Sequence, residues 1–236
     1  MDDSRHAFAD AWALAEPIEG WLTEAQGRVL YAAAAALPPG STVVEIGSHQ
    51  GRSTVVLASA VRGGGRLVAV DPFDAGWRYG GPDTRERLQS HLEDAGVSDV
   101  VDVVATTSRR ARAAYTGPVD LVYVDGRHDY WTVRDDLGWA GLVPTGSVVL
   151  VHDAFSSLGV TLALLRTLPV AGRLTYVGRT GSLARLECRR PSGAERLAAL
   201  RETPWWVRNL VVKVLLRLGL RGPARRLGHD LAADPY

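Results

Sequence analysis

The stretch VVEIGSHQGRS, residues 43–53, decides how this chain folds. Residues 41–46 form a short, mostly apolar run, which reads as a buried strand, and Gly47 marks a sharp turn. Residues 52–62 then read as a helix that ends at the glycines of 63–65. Glu45, Gly47 and Gly51 are spaced E-x-G-x-x-x-G across this strand–turn–helix unit. Glycines let a loop backbone approach a ligand closely, and a helix N-terminus offers unpaired N–H groups. A turn built for a pyrophosphate would show G-x-G-x-x-G instead. An acid beside the strand end would repel a pyrophosphate; it suits an ammonium or a sulfonium. Glu45, Gly47, Ser48, Gly51 and Ser53 are therefore the candidate ligand-binding residues of this turn.

Working outward, the same alternation repeats. Residues 17–38 read as a loop and a helix with Thr23 as N-cap, stopped by Pro38, Pro39 and Gly40. Beyond the turn, strands are expected at 67–70, 100–105, 119–124 and 147–151. Helices are expected at 84–95, 109–115, 130–142 and 158–168. Residues 174–177 and 182–188 form a closing hairpin. Strands and helices at these spacings are right-handed βαβ units, which make an open, doubly wound, mostly parallel α/β sheet. Ligands of such sheets collect outside the carboxyl ends of the strands. Glu45, Asp71, Asp125, His152 and Asp153 all fall at those ends.

Asp71 closes the second strand in LVAVDPF, 20 residues after Gly51. An acid in that place accepts hydrogen bonds from ribose hydroxyls. Thr106 and Thr107, after the third strand, are placed to face an adenine. Asp125 closes the fourth strand, and His152-Asp153 closes the fifth. Neighbouring parallel strands lie about 4.8 Å apart, so these groups can converge on one cation. Carboxylates suit magnesium, and a histidine also admits manganese or iron. The alternative is that Asp125 caps the next turn and His152 or Asp153 bonds the backbone. His128 is the candidate base for an acceptor hydroxyl, with His152 the competitor. Residues 76–82, with Trp77, Arg78 and Tyr79, read as a loop that stacks on an acceptor ring or closes over the ligand. His49 positions backbone or substrate.

The three motifs, in this order, resemble class I S-adenosylmethionine (SAM)-dependent methyltransferases, with a Rossmann-like, seven-stranded sheet. The D-G-x-H-x-Y…H-D pattern is similar to the branch of metal-dependent sugar O-methyltransferases, the macrocin and aminocoumarin-sugar type. The actinobacterial 1-O-methyltransferases of methylmannose polysaccharide are similar in size. The resemblance spans residues 17–190 and implies SAM as methyl donor and a divalent ion, magnesium first. In that branch an acid after strand four and two adjacent acids after strand five hold the metal. These fall on Asp125, His152 and Asp153, so a histidine replaces one acid. The branch's basic Asp, two residues after the strand-four ligand, is here Arg127. A sugar or glycan hydroxyl is the acceptor so implied, with a catechol or phenol as runner-up. An NAD-dependent oxidoreductase and a non-catalytic SAM-binding protein remain the readings of another class.

Composition narrows the partners. The chain has 236 residues, a formal net charge of +1 and one cysteine, Cys188. Near-neutral charge gives no general pull toward nucleic acid, and one cysteine forms no internal disulfide, which fits a cytoplasmic protein. The methyltransferase domain is expected over 1–190, with 1–38 as an N-terminal helical cap. Residues 191–236 then form a basic amphipathic helical tail. There Trp205-Trp206 precedes a helix with Lys213, Arg217 and Arg221 on one face and Val and Leu opposite. That tail suits packing on the domain, a homodimer, or peripheral contact with a membrane.

Overall fold

A computed structural model describes residues 3–228 except 75, 77–79 and 171. The loop aromatics Trp77 and Tyr79, with Arg78, lie outside the described residues. The chain opens with α1 (Asp3–Ala15), where Phe8, Ala11, Trp12 and Ala15 recur at helical spacing and are buried. From the sequence only a general helical cap over 1–38 is expected here, and this first helix is an addition to it. In α2 (Glu24–Ala35) Thr23 accepts the Gln26 N–H, and the Gln26 side chain accepts the Thr23 N–H, a capping box.

The alternating body follows as β1 (Thr42–Ile46), α3 (Arg52–Val61), β2 (Arg66–Val70), α4 (Pro82–Asp94) and β3 (Val101–Val104). It continues as α5 (Ser108–Ala114), β4 (Leu121–Val124), α6 (Tyr130–Asp136), β5 (Val148–Val151) and α7 (Leu158–Thr167). A hairpin, β6 (Thr175–Thr180) and β7 (Leu183–Glu187), closes the sheet. One departure from the expected elements has a visible cause. The helix read over 130–142 is α-helical only to Asp136 and then winds as a 3-10 turn, Leu137–Gly141. That turn holds Trp139, fully buried, where its indole N–H donates to Ser108 Oγ at 2.9 Å.

The seven strands run in the order β3-β2-β1-β4-β5-β7-β6, with β7 antiparallel to both neighbours. This is the doubly wound sheet with a closing hairpin that the alternation predicts. Side-chain alternation divides the core into two faces. Val44, Ile46, Val122, Val124, Val149 and Val151 pack toward α6 and α7. Val43, Leu67, Leu121, Tyr123 and Leu150 pack with α1, α2 and α3. Glu45 shares the parity of Val43 and so points at α3. Register then aligns the site: Ile46 lies opposite both Val70 and Val124, and Val124 opposite Val151. Gly47, Asp71, Asp125 and His152, each one residue further, therefore stand at one level along the crest.

After the hairpin, a 3-10 segment (Glu195–Glu202) leads into α8 (Thr203–Arg217) and α9 (Arg221–Arg226). Glu202 accepts from Tyr176 OH at 2.9 Å and Arg179 Nε at 2.7 Å, and the Arg179 guanidinium covers the Trp205 ring at 3.8 Å. Further along α8, Asn209 donates to Phe155 O at 3.0 Å and Lys213 to Ser156 O at 2.7 Å. The tail is thus tied to the loop that follows β5.

Candidate active site

The turn after β1 is shaped by close approach. Gly47 has φ +87°, and a Cβ there would collide with the carbonyl oxygen of Asp125. Only glycine lets β1 and β4 hand their next residues to the same place. Gly51, the N-cap of α3, has φ +99°, and a Cβ on it would meet Leu88 Cδ1 at 2.6 Å. Four described non-glycine residues take positive φ: His49, Phe73, Asp153 and Phe155. All four lie in the loops past β1, β2 and β5. Left-handed backbone costs a bulky residue about 1–3 kcal/mol, and such strain gathers at functional sites.

These loops border a cavity of about 730 Å³, a size usual for small-molecule sites. Gly47, Ser48, His49 and Ser53 form one wall, and Asp71 stands at its edge. Asp71 Oδ2 accepts the N–H groups of Ser48 and His49 at 3.0 Å each, and Oδ1 accepts that of Phe73 at 2.8 Å. The carboxylate therefore locks the two loops together at the edge of the cavity. Thr107 and Ser108 line the next wall, whereas Thr106 lies outside it. Gly51 supports the turn from behind.

Glu45 is in the turn's foundation rather than its wall. It is fully buried, takes hydrogen bonds from Ser53 Oγ at 2.5 Å and Thr54 Oγ1 at 2.6 Å, and does not line the cavity. Burial pushes its carboxyl up to about 7, against the downward pull of the two hydroxyls.

The strand ends β4 and β5 bring together what the sequence separated. Asp125, His152 and Asp153 each offer one ligand atom, all within 4.8 Å of one another. Tyr123 OH donates to Asp125 Oδ2 at 2.8 Å, and Ser156 Oγ to Asp153 Oδ1 at 2.8 Å. Both carboxylates are thereby oriented with one oxygen left over. His152 Nδ1 lies 3.3 Å from Asp125 Oδ1 and 3.6 Å from Asp153 Oδ2. His128 reaches over them, with Nε2 at 3.1 Å from Asp153 Oδ2 and 3.8 Å from Asp125 Oδ1. Its side chain is 44% exposed and lines the cavity.

The donor set fits a divalent cation. Gln26 Oε1 accepts from the Thr23 backbone N–H at 3.0 Å, which fixes the amide's orientation. The same oxygen faces His152 Nε2 at 3.2 Å, so that nitrogen carries the hydrogen. The other ring nitrogen, Nδ1, meets no acceptor in good hydrogen-bond geometry and is aimed between two carboxylates, which hold a proton on it until a cation takes its place. Such a group calls for a cation. Burial pulls the His152 imidazole down, but the charges of Asp125 and Asp153 outweigh it and hold the group well above its ordinary value. For Asp153 burial acts upward and is overridden, chiefly by His152, so that its carboxyl stays far below the usual range.

Several residues of this site escaped the sequence reading. Glu19, Gly20 and Trp21, from the loop between α1 and α2, close over the turn, with Arg52 Nη1 donating to Gly20 O at 2.7 Å. Gln26 was legible only as half of a capping box, Thr23-x-x-Gln26. Asp136 gave no signal: it is 1% exposed, borders the cavity beside Ser108, and neither carboxyl oxygen has a hydrogen-bond partner. Burial pushes it up to about 6. Trp131 and Arg134 also line the cavity, with the guanidinium 4.9 Å from the indole centroid.

Comparison with known proteins agrees with this geometry. Residues 44–154 match the family model described as a methyltransferase domain. Among solved structures, cofactor-bound Rv0187 from MTB is 24% identical with a TM-score of 0.59, over 78% of this chain and 90% of that one. The SAH-bound methyltransferase PaMTH1 of Podospora anserina is 14% identical with a TM-score of 0.60, over 79% and 88%. The O-methyltransferase TomG of Streptomyces achromogenes, involved in tomaymycin synthesis and solved with SAM, is 21% identical with a TM-score of 0.55, over 78% and 89%. The chain has the Rossmann-like α/β fold of the class I methyltransferases, and its residues 44–154 match a methyltransferase domain.

Proposed function

We propose that the protein is a SAM-dependent O-methyltransferase that works with a divalent cation, magnesium first, on a hydroxyl of a small molecule. A sugar or glycan hydroxyl is the acceptor favoured by the D-G-x-H-x-Y…H-D resemblance; a catechol or phenol is the runner-up. The observation that carries the reading is His152 Nδ1, without a hydrogen-bond partner and set between Asp125 and Asp153, beside the glycine turn. An acceptor that is a thiol or amine needs little activation, whereas an alcohol is almost wholly protonated at neutral pH. A divalent ion held by Asp125, His152 and Asp153 would supply the positive charge that makes such a hydroxyl more acidic.

The chain's own residues do the rest. Gly47, Ser48 and the α3 N-terminus receive the methionine end of the donor, and Asp71 accepts its ribose hydroxyls. Asp136, orphaned beside Ser108, takes an N–H donor of the adenine. Methyl transfer from the sulfonium of SAM is an in-line displacement, so positioning is the protein's main contribution. His128 Nε2, half-exposed over the two carboxylates, takes the acceptor's proton. Gln26 keeps a hydrogen of the His152 ring on Nε2, so that Nδ1 is the nitrogen offered to the ion. The loop from Glu19 to Trp21 shields the donor from water.

Methyl transfer from labelled SAM to a panel of sugars and catechols tests the reading, before and after EDTA and with His128→Ala. The expected result is loss on chelation, recovery with magnesium, and a fall of about 10²–10⁴-fold in the variant. Undiminished transfer in both cases removes the cation and His128 from the mechanism. SAM binding with no transfer to any hydroxyl makes the protein a non-catalytic binder.

A further inference from the structure

The packing of α8 leaves a surface that the catalytic reading does not use. Its inner face is spent on the domain: Val212 is 3% exposed, and Asn209 and Lys213 are bonded to Phe155 O and Ser156 O. The outer face is a continuous apolar stripe. Val207, Val211, Val214 and Leu218 follow one another at steps of four, three and four residues, and each is 43% exposed or more. Leu220 and Leu227 extend the exposed apolar surface through α9. Valine and leucine in such numbers on an outer helix face are unusual for a surface that meets only water.

The charge around the stripe selects its occupant. Residues 203–228 hold six basic side chains and no acidic one. Arg217 stands about a quarter-turn from the stripe at 100° per residue, and Arg221, Arg225 and Arg226 follow it, all exposed. A second copy docked through this face about a twofold axis would set arginines against arginines. A nucleic acid would engage the arginines and leave the valines without a role. No described helix is long and apolar enough to cross a membrane. An apolar stripe flanked by cations, on a helix that does not span, matches a surface that lies in the interface of an anionic bilayer.

We propose that the outer face of α8, with α9, docks the protein on anionic phospholipid surfaces. The valines and leucines enter the acyl boundary and the arginines meet the headgroup phosphates. Because α8 is bonded to the loop bearing Asp153, docking brings the candidate active site to the lipid surface without any change of fold. The surface itself stands independently of which acceptor is methylated.

The test is co-sedimentation of the full chain with vesicles of phosphatidylcholine alone or mixed with phosphatidylglycerol, at low and high salt. Pelleting is expected with the mixed vesicles only, and weaker at high salt. Arg217→Gln should lower partitioning about fivefold, the worth of one cation near such a surface. Val211→Asp/Val214→Asp, both at exposed positions, should abolish it with circular dichroism unchanged. Three results overturn the proposal: no pelleting of the folded wild type, equal pelleting of the double variant, or equal pelleting on neutral vesicles. A dimer that Val211→Asp/Val214→Asp dissolves, without vesicle binding, assigns the face to a second copy instead. RNA binding that Arg217→Gln weakens and the double variant leaves intact likewise overturns it.

Discussion

Glu45 carries an energetic consequence that can be measured without any substrate. Its carboxyl stands at about 7 in the fold, against an ordinary 4.5. The native state therefore holds this proton more tightly than the unfolded chain does. Stability is highest below pH 4.5 on this account and falls as pH rises toward 7, then levels off. The shift corresponds to about 3 kcal/mol. Glu45→Gln should flatten the decline of Tm between pH 4.5 and 7; an unchanged slope would show that Glu45 is ionised throughout. Gln26 belongs to the same scale. Gln26→Leu removes the oxygen that fixes the His152 tautomer, and should weaken Mn²⁺ binding about 10–100-fold. SAH affinity should stay as it was, and Gln26→Glu, which keeps an acceptor oxygen, should restore the metal. Equal losses for metal and SAH would reduce Gln26 to a packing role.

At the scale of the element, the glycine turn is where sequence and geometry are most tightly coupled. Gly47 and Gly40 both have positive φ, but a Cβ on Gly47 would run into the Asp125 carbonyl and one on Gly40 would meet nothing. Gly40→Ala should cost only the left-handed backbone, about 1–2 kcal/mol. Gly47→Ala should cost about 2–4 kcal/mol and reduce SAH binding, because β1 must part from β4. Urea melts of the two variants compare them directly, and equal midpoints would mean that the β1–β4 approach is not tight. The α2 capping box is a second such coupling. One side chain, Gln26, both caps a helix and bonds a histidine 126 residues away.

For the molecule as a whole, the loops that meet above the crest predict linked stability. Asp71 joins the loops after β1 and β2, and Gly47 approaches Asp125. A ligand seated there binds only the assembled sheet. SAH at a hundredfold excess over its dissociation constant should add about 2.7 kcal/mol. That is a rise in Tm of roughly 5–10 °C for a chain of this size, and NAD should give none. A shift with NAD and not with SAH would return the protein to the oxidoreductase reading.

How much was legible follows physical lines. The alternating strands and helices, the closing hairpin and the glycine turn were written locally, in apolar runs and in residues that tolerate positive φ. Asp125, His152 and Asp153 were also within reach, because parallel strands must end side by side. Periodicity did not reveal α1, whose meaning depends on the α3 surface it covers, nor the 3-10 turn that holds Trp139 in the core. It could not place Glu45 beneath the turn, since strand parity is set only once the two faces of the sheet are covered.

The sequence alone determined the order of elements and the chemistry available at each strand end, because both depend on neighbours a few residues apart. Tertiary structure alone decided which nitrogen of His152 faces the two carboxylates, that Asp136 is orphaned beside the cavity, and which face of α8 meets the outside. Each of these depends on partners distant in the chain: Gln26 and Ser182 across the sheet, and the Phe155–Ser156 backbone beneath α8. Their placement follows from packing.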